Sequence, residues 1–136
     1  MSTIQSLAEA SFCESVESGH SNQSDSAKIA NLLGIHKAPV RMDSQCKYCS
    51  ISRGDAEVYL RLPVSASYEE KIWDHASGAL LVAEAGGIVS DVHGKPLDFS
   101  KGRTLATNSG VIAAHSKIHG KVIEAVQKVL FPEVKL

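Results

Sequence analysis

Ile72-Trp73-Asp74-His75-Ala76-Ser77-Gly78-Ala79-Leu80-Leu81-Val82-Ala83-Glu84-Ala85 leads directly into Gly86-Gly87-Ile88-Val89-Ser90-Asp91-Val92. In the first half, Ile72, Ala76, Ala79, Leu80 and Ala83 recur at helical spacing, which predicts a helix from about residue 72 to 85 with that stripe facing inward. The glycine pair stops it, because glycine takes the left-handed backbone at a helix C-terminus without a Cβ clash. Residues 88–92 then read as a short apolar strand, and His93-Gly94-Lys95-Pro96 as a turn. A helix feeding a buried strand through a tight connection is the repeating unit of a layered α/β domain.

The same alternation extends in both directions. Upstream, Ser11-Phe12-Cys13-Glu14-Ser15-Val16-Glu17 alternates apolar and polar side chains like a strand. Ser24-Asp25-Ser26 offers an N-cap to a helix carrying Ala27, Ile29, Ala30, Leu32 and Leu33, which Gly34 stops. Pro39-Val40-Arg41-Met42 is a short strand, Asp43-Ser44 caps a helix from near Gln45, and Glu57-Val58-Tyr59-Leu60-Arg61-Leu62 is a stronger strand limited by Pro63. Downstream, residues 110–114 form a strand apolar on both faces, and residues 116–130 a helix with Ile118, Val122, Ala125, Val126 and Val129 on one side. The expected fold is a layered α/β domain: a mixed, mainly parallel sheet covered by helices.

Composition restricts the function classes. The chain has 136 residues, 43% of them hydrophobic and 21% charged, with a net charge of −1 from 14 Lys and Arg against 15 Asp and Glu. Roughly two-thirds of the unfolded surface is buried at this size, so a core needs no disulfide or metal. A surface that coats a nucleic-acid polymer would show a basic excess, and 5% aromatic residues offer few stacking platforms for single strands. No apolar run is long enough to span a membrane. The first residues lack the basic and apolar regions of a signal peptide. The three cysteines, Cys13, Cys46 and Cys49, make no disulfide framework. A cytoplasmic location is the expectation.

Several residues could carry chemistry. Lys47 falls in the first turn of its helix, where a cation opposes the macrodipole. A bound anion would relieve that conflict; a solvated surface lysine is the alternative. Asp74 opens the best helix. It is either a cap or dipole partner or an oxygen ligand for a hard cation such as Mg²⁺. Ala76, Ser77, Gly78 and Ala79 are small enough for another element or a ligand to approach closely. Arg41 and Arg61, on or near strands, could fork onto phosphate or lie at the surface. Cys46 and Cys49 lack a second pair for zinc. His115 and His119, four apart, lack the glutamate of a metalloprotease helix.

Trp73-Asp74-His75-Ala76-Ser77-Gly78, continued through Glu84-Ala85-Gly86-Gly87, resembles the C-terminal signature of the lithium-sensitive, magnesium-dependent phosphatases related to inositol monophosphatase. Within that family, residues 11–17, Asp43-Ser44-Gln45-Cys46-Lys47-Tyr48, Val58-Tyr59-Leu60-Arg61-Leu62-Pro63, Lys71-Ile72-Trp73-Asp74-His75 and residues 95–100 resemble the 3'(2'),5'-bisphosphate nucleotidases. Those enzymes convert adenosine 3',5'-bisphosphate, a by-product of sulfate assimilation and sulfotransfer, to AMP and phosphate. The resemblance implies that Asp74 binds catalytic Mg²⁺ and that His20, Ser44, Lys47 and Arg61 contact the nucleotide.

The family's paired glutamates, its Asp-Pro-x-Asp-Gly-Thr metal loop and its water-activating aspartate have no counterpart here. The expectation is therefore a C-terminal domain over residues 11–136, preceded by a remnant or extension over residues 1–10. Such a chain would be inactive without the missing N-terminal half and would self-associate through exposed apolar surface. Two other readings stand beside it: a non-catalytic nucleotide-binding or interaction module, and a fragment of an inositol phosphate phosphatase.

Overall fold

A computed structural model describes residues 1, 6–16, 23–42, 45–63, 65 and 67–132. His20 and Ser44 lie outside the described residues, as do the proposed cap at Asp43-Ser44 and residues 17–22.

Among the described residues, five strands form one sheet: β1 (Phe12–Glu14), β2 (Val40–Arg41), β3 (Val58–Arg61), β4 (Gly87–Ser90) and β5 (Val111–His115), in the order β2-β1-β3-β5-β4. β1 pairs in parallel with β2 and β3, while β5 runs antiparallel to both β3 and β4. Four strands therefore share one direction and β5 alone opposes them; the sheet is mixed, with two parallel and two antiparallel pairings rather than a mainly parallel set. The carboxyl ends of β1, β2 and β3 carry Glu14, Arg41 and Arg61 to one edge. Ligand sites of open α/β sheets form at such an edge.

Four α-helices among the described residues cover the faces: α1 (Gln23–Leu33), α2 (Cys46–Arg53), α3 (Ala76–Glu84) and α4 (Ser116–Leu130). Strand alternation sorts the core into two halves. Phe12, Val58, Leu60, Ile112 and Ala114 face α1 and α4, where Ile29, Ala30, Val122 and Val126 meet them. Cys13, Tyr59, Val111 and Ala113 face α2 and α3, against Tyr48, Ile51 and Val82. Both faces of β1 are covered, so Glu14 is buried along with its apolar neighbours and the alternation seen in the sequence is not an inside–outside pattern. Ala10 is fully buried and Leu7 packs on the first half of the core. Among the described residues, no helix is long and apolar enough to cross a membrane.

The first and last helices follow the sequence closely. Gly34, at φ 74°, ends α1, and α4 spans residues 116–130 as read. α1 begins at Gln23, so Ser24, Asp25 and Ser26 lie inside it rather than capping it.

The helix expected over 72–85 is different in two ways. It is broken: a 3-10 turn at Ile72–Asp74 precedes α3, and the chain bends at His75. It is also rotated. Gly78 and Val82 face the core, while Leu80 is 61% and Leu81 48% exposed and Ala76 and Ala83 are open to solvent. The stripe read as the inner face therefore points outward. The reason is steric: only glycine fits where α3 crosses α2, and that contact fixes the rotation.

Candidate functional site

Asp74 sits on the exposed turn between β3 and α3. It does not cap α3. His75 holds the cap position without a side-chain cap bond, and the first turn is satisfied from α2's side instead. Gln45 Oε1 accepts from the Gly78 amide at 2.7 Å and from Ser77 Oγ at 2.8 Å, and Gln45 Nε2 donates to the Trp73 carbonyl at 3.2 Å. One side chain thus ties the start of α2 to both flanks of Asp74 and satisfies a helix N–H that would otherwise lack a partner. Asp74 is left free of the capping role.

Arg61 ends β3 and is only 9% exposed. Its Nε donates to both oxygens of Glu70, at 2.8 and 2.6 Å. Glu70, itself buried, has His75 Nε2 at 3.6 Å from Oε1. The other ring nitrogen of His75, Nδ1, is 2.5 Å from the Tyr48 hydroxyl on α2. Tyr48 in turn lies edge-on to Tyr59 of β3, with ring centroids 4.9 Å apart.

Burial alone would raise the Glu70 carboxyl, but the nearby His75 ring and the hydrogen bonds and charge of Arg61 outweigh it and hold it below its ordinary value. For Arg61, burial works against the charge, but the Glu70 and Tyr59 contacts outweigh it and hold the guanidinium above its ordinary range. Burial drives the Tyr48 phenol well above its usual value, and its hydroxyl shares a hydrogen bond with His75 Nδ1. Glu70, His75, Tyr48 and Gln45 were not singled out from the sequence. Their only local signal is that Glu70 and His75 flank the Lys71-Ile72-Trp73-Asp74 run.

Lys47 does not have a solvated head. It is 2% exposed, donates from Nζ to the Met42 carbonyl at 3.2 Å and lies 5.6 Å over the Tyr59 ring. Two buried cations, Lys47 and Arg61, and one exposed carboxylate, Asp74, therefore sit on segments that leave the same sheet edge. Intermediaries join those segments: Glu70 and His75 link Arg61 to the Asp74 turn, and Tyr48, beside Lys47, links that turn to α2. Arg41, at the end of β2, pairs through Nε with Glu14 Oε1 at 3.0 Å and is half-exposed.

The remaining titratable groups are placed for packing. Burial pushes the Cys13 thiol up to about 12, which makes it unreactive. Cys46 and Cys49 are free thiols. His115 Nδ1 accepts from the Lys117 amide, capping α4, whereas His119 Nε2 is 2.9 Å from Ser90 Oγ. The two histidines serve different partners. Among the described residues there is no group of three or more His, Cys, Asp or Glu able to hold a metal ion. A hard divalent cation takes six or more oxygen ligands, several of them from water or phosphate. Asp74 fits as one ligand of such an ion, not as a metal centre.

The model of the inositol monophosphatase family matches residues 2–130. The chain belongs to that family. Curated relatives named 3'(2'),5'-bisphosphate nucleotidase are 60% identical over 130 residues in Emericella nidulans and 57% identical over 129 residues in Schizosaccharomyces pombe. These alignments cover 96% and 95% of this chain but only 37% and 36% of the relatives. The fold is that of solved family members. An inositol monophosphatase from Thermotoga maritima superposes with a TM-score of 0.71 at 20% identity, over 96% of this chain and 45% of that one. The Anabaena enzyme gives 0.68 at 18% identity, over 94% and 47%. Enzymes of the inositol monophosphatase family are metal-dependent phosphatases.

Proposed function

We propose that this chain is the nucleotide-holding part of a Mg²⁺-dependent 3'(2'),5'-bisphosphate nucleotidase, acting on the 3'-phosphate of adenosine 3',5'-bisphosphate. The observation that carries this reading is the placement of buried Lys47 and Arg61 with exposed Asp74 on segments leaving one sheet edge. Identity to the nucleotidases supplies the substrate class. Lys47 and Arg61 hold phosphate oxygens in a site screened from water, where opposite charges attract more strongly. Asp74 gives one oxygen to the divalent ion. A Mg²⁺ ion held there would supply Lewis-acid chemistry toward the phosphoryl group and would lower the pKa of a bound water. By the same resemblance, His20 and Ser44 complete the nucleotide contacts.

One metal ligand cannot clamp both the attacking and the leaving oxygen of an in-line displacement. The reading therefore makes the chain inactive alone and assigns the other ligands to the part of the relatives that it does not match. The rotated α3 supports this. Trp73, Leu80, Leu81 and Ile88 are between 41% and 61% exposed and line the side of α3 and the edge strand β4 that no described element covers. In the complete enzyme that surface is the seat of the missing half; in the isolated chain it drives self-association. Sedimentation should show a concentration-dependent mass that Leu80→Glu with Leu81→Glu abolishes without unfolding. A strictly monomeric wild type would contradict that assignment.

Calorimetry tests the nucleotide reading. Adenosine 3',5'-bisphosphate should bind the chain, and Lys47→Ala should weaken it by about 10- to 100-fold, the loss of one charge-assisted hydrogen bond. Equal affinity in wild type and variant would remove Lys47 from the site.

A further inference from the structure

We propose that Glu70 is a positioning residue: its carboxylate grips Arg61 and faces His75, and through His75 and Tyr48 it sets β3, the Asp74 turn and α2 relative to one another. The proposal rests on the nucleotide reading only for what those segments hold. The geometry itself is independent of it.

Glu70 stands in a loop, between β3 and the 3-10 turn at Ile72–Asp74, yet it is 6% exposed. Both of its oxygens lie within hydrogen-bond distance of Arg61 Nε. A guanidinium gripped at Nε has its direction fixed, a hydrogen bond with the Tyr59 hydroxyl adds to that hold, and the remaining N–H groups can meet other acceptors. On the other side, His75 Nε2 has no hydrogen-bond partner among the described residues and lies 3.6 Å from Glu70 Oε1. A shift of a few tenths of an ångström closes that gap. His75 immediately follows Asp74 and forms the bend into α3, so a ring held on two sides restrains that turn. Its Nδ1 is held by Tyr48, the residue after Lys47. The carboxylate therefore reaches, by one or two contacts each, the segments that carry Arg61, Asp74 and Lys47.

Stability alone does not account for this arrangement. Burying an ion pair costs desolvation that its attraction often fails to repay, and an apolar replacement of similar volume is commonly as stable. What an ionic pair gains over an apolar one is fixed direction.

The choice between positioning and simple charge neutralisation has a sign. Glu70→Gln removes a negative charge beside Arg61. If Glu70 merely neutralises, anion affinity rises. If it positions, affinity falls despite the added positive charge. Amide and Arg61 Nε–H signals of the full chain would be recorded by NMR for wild type and Glu70→Gln, and adenosine 3',5'-bisphosphate titrated into each. The proposal expects a slowly exchanging Arg61 Nε–H signal that is lost in Glu70→Gln, coordinated shifts at Lys47, Tyr48, Asp74 and His75, and affinity lowered tenfold or more. Glu70→Asp should recover part of both. Should Glu70→Gln fail to fold, Glu70→Asp tests reach at constant charge: affinity should still fall and the same four residues should still shift together, and unchanged affinity and signals would overturn the proposal. Shifts confined to Arg61, or affinity that rises, would overturn the proposal. If wild type binds no nucleotide but the coordinated shifts occur, the nucleotide reading fails and the positioning role stands.

Discussion

Gly78→Val should destabilise the fold by ~3 kcal/mol or more, a large fraction of the ~5–15 kcal/mol that holds a domain together. Gly78 is buried where α3 crosses α2, and a Cβ added there would meet the Tyr48 ring and stand only 2.7 Å from Tyr48 Cβ. Tyr48 cannot swing aside cheaply. Its hydroxyl is bonded to His75 and its ring packs edge-on to Tyr59. Alanine at this position is the milder case, because it gains about 1 kcal/mol of helix propensity against the same clash. Urea unfolding followed by circular dichroism should therefore rank wild type above Gly78→Ala above Gly78→Val. A valine variant with the wild-type midpoint would show that α2 and α3 do not meet as described. Because the same contact fixes the rotation of α3, the loss should extend to the Asp74 turn.

Arg61→Leu should cost about 3–5 kcal/mol, the range for removing one partner of a buried ion pair. It leaves the Glu70 carboxylate buried with only His75, 3.6 Å away, in place of two contacts from Arg61 Nε. The double variant Arg61→Leu with Glu70→Met should recover most of that loss, since no uncompensated charge remains. The pH dependence follows from the direction of the carboxyl shift. Glu70 titrates below its ordinary value in the fold, so the pair contributes fully above the carboxylate range and loses that contribution as acid protonates it. Arg61→Leu should lack this share of the wild-type acid sensitivity. Equal stability of Arg61→Leu and wild type near neutral pH would refute the pairing.

Much of the fold could be read from sequence because local rules agreed with tertiary packing. Gly34 stopped α1, residues 116–130 formed α4, and the apolar run at 110–114 became β5, one residue further on, inside the sheet. The reading of α3 failed for an instructive reason. Periodicity finds the more apolar side of a helix and assumes that this side is covered by the same chain. Here the residue that decides the rotation is Gly78, which contributes nothing to a hydrophobic stripe. The apolar side bearing Leu80 is left open.

The site divided in a similar way. Lys47, Arg61 and Asp74 could be singled out through their resemblance to family motifs. Glu70, His75, Tyr48 and Gln45 could not, because their roles depend on contacts between residues as much as 33 positions apart. A buried glutamate in a loop has no periodic signature. It becomes visible only when its partner across the fold is known.

The most direct test is phosphate release from adenosine 3',5'-bisphosphate in the presence of Mg²⁺. The chain should be assayed alone, and after co-expression with the portion of the Emericella nidulans nucleotidase that it does not match. The expected result is no turnover by the chain alone, turnover by the pair, and loss of that turnover with Asp74→Asn. Robust turnover by the isolated chain, or an undiminished rate with Asp74→Asn in the pair, would contradict it.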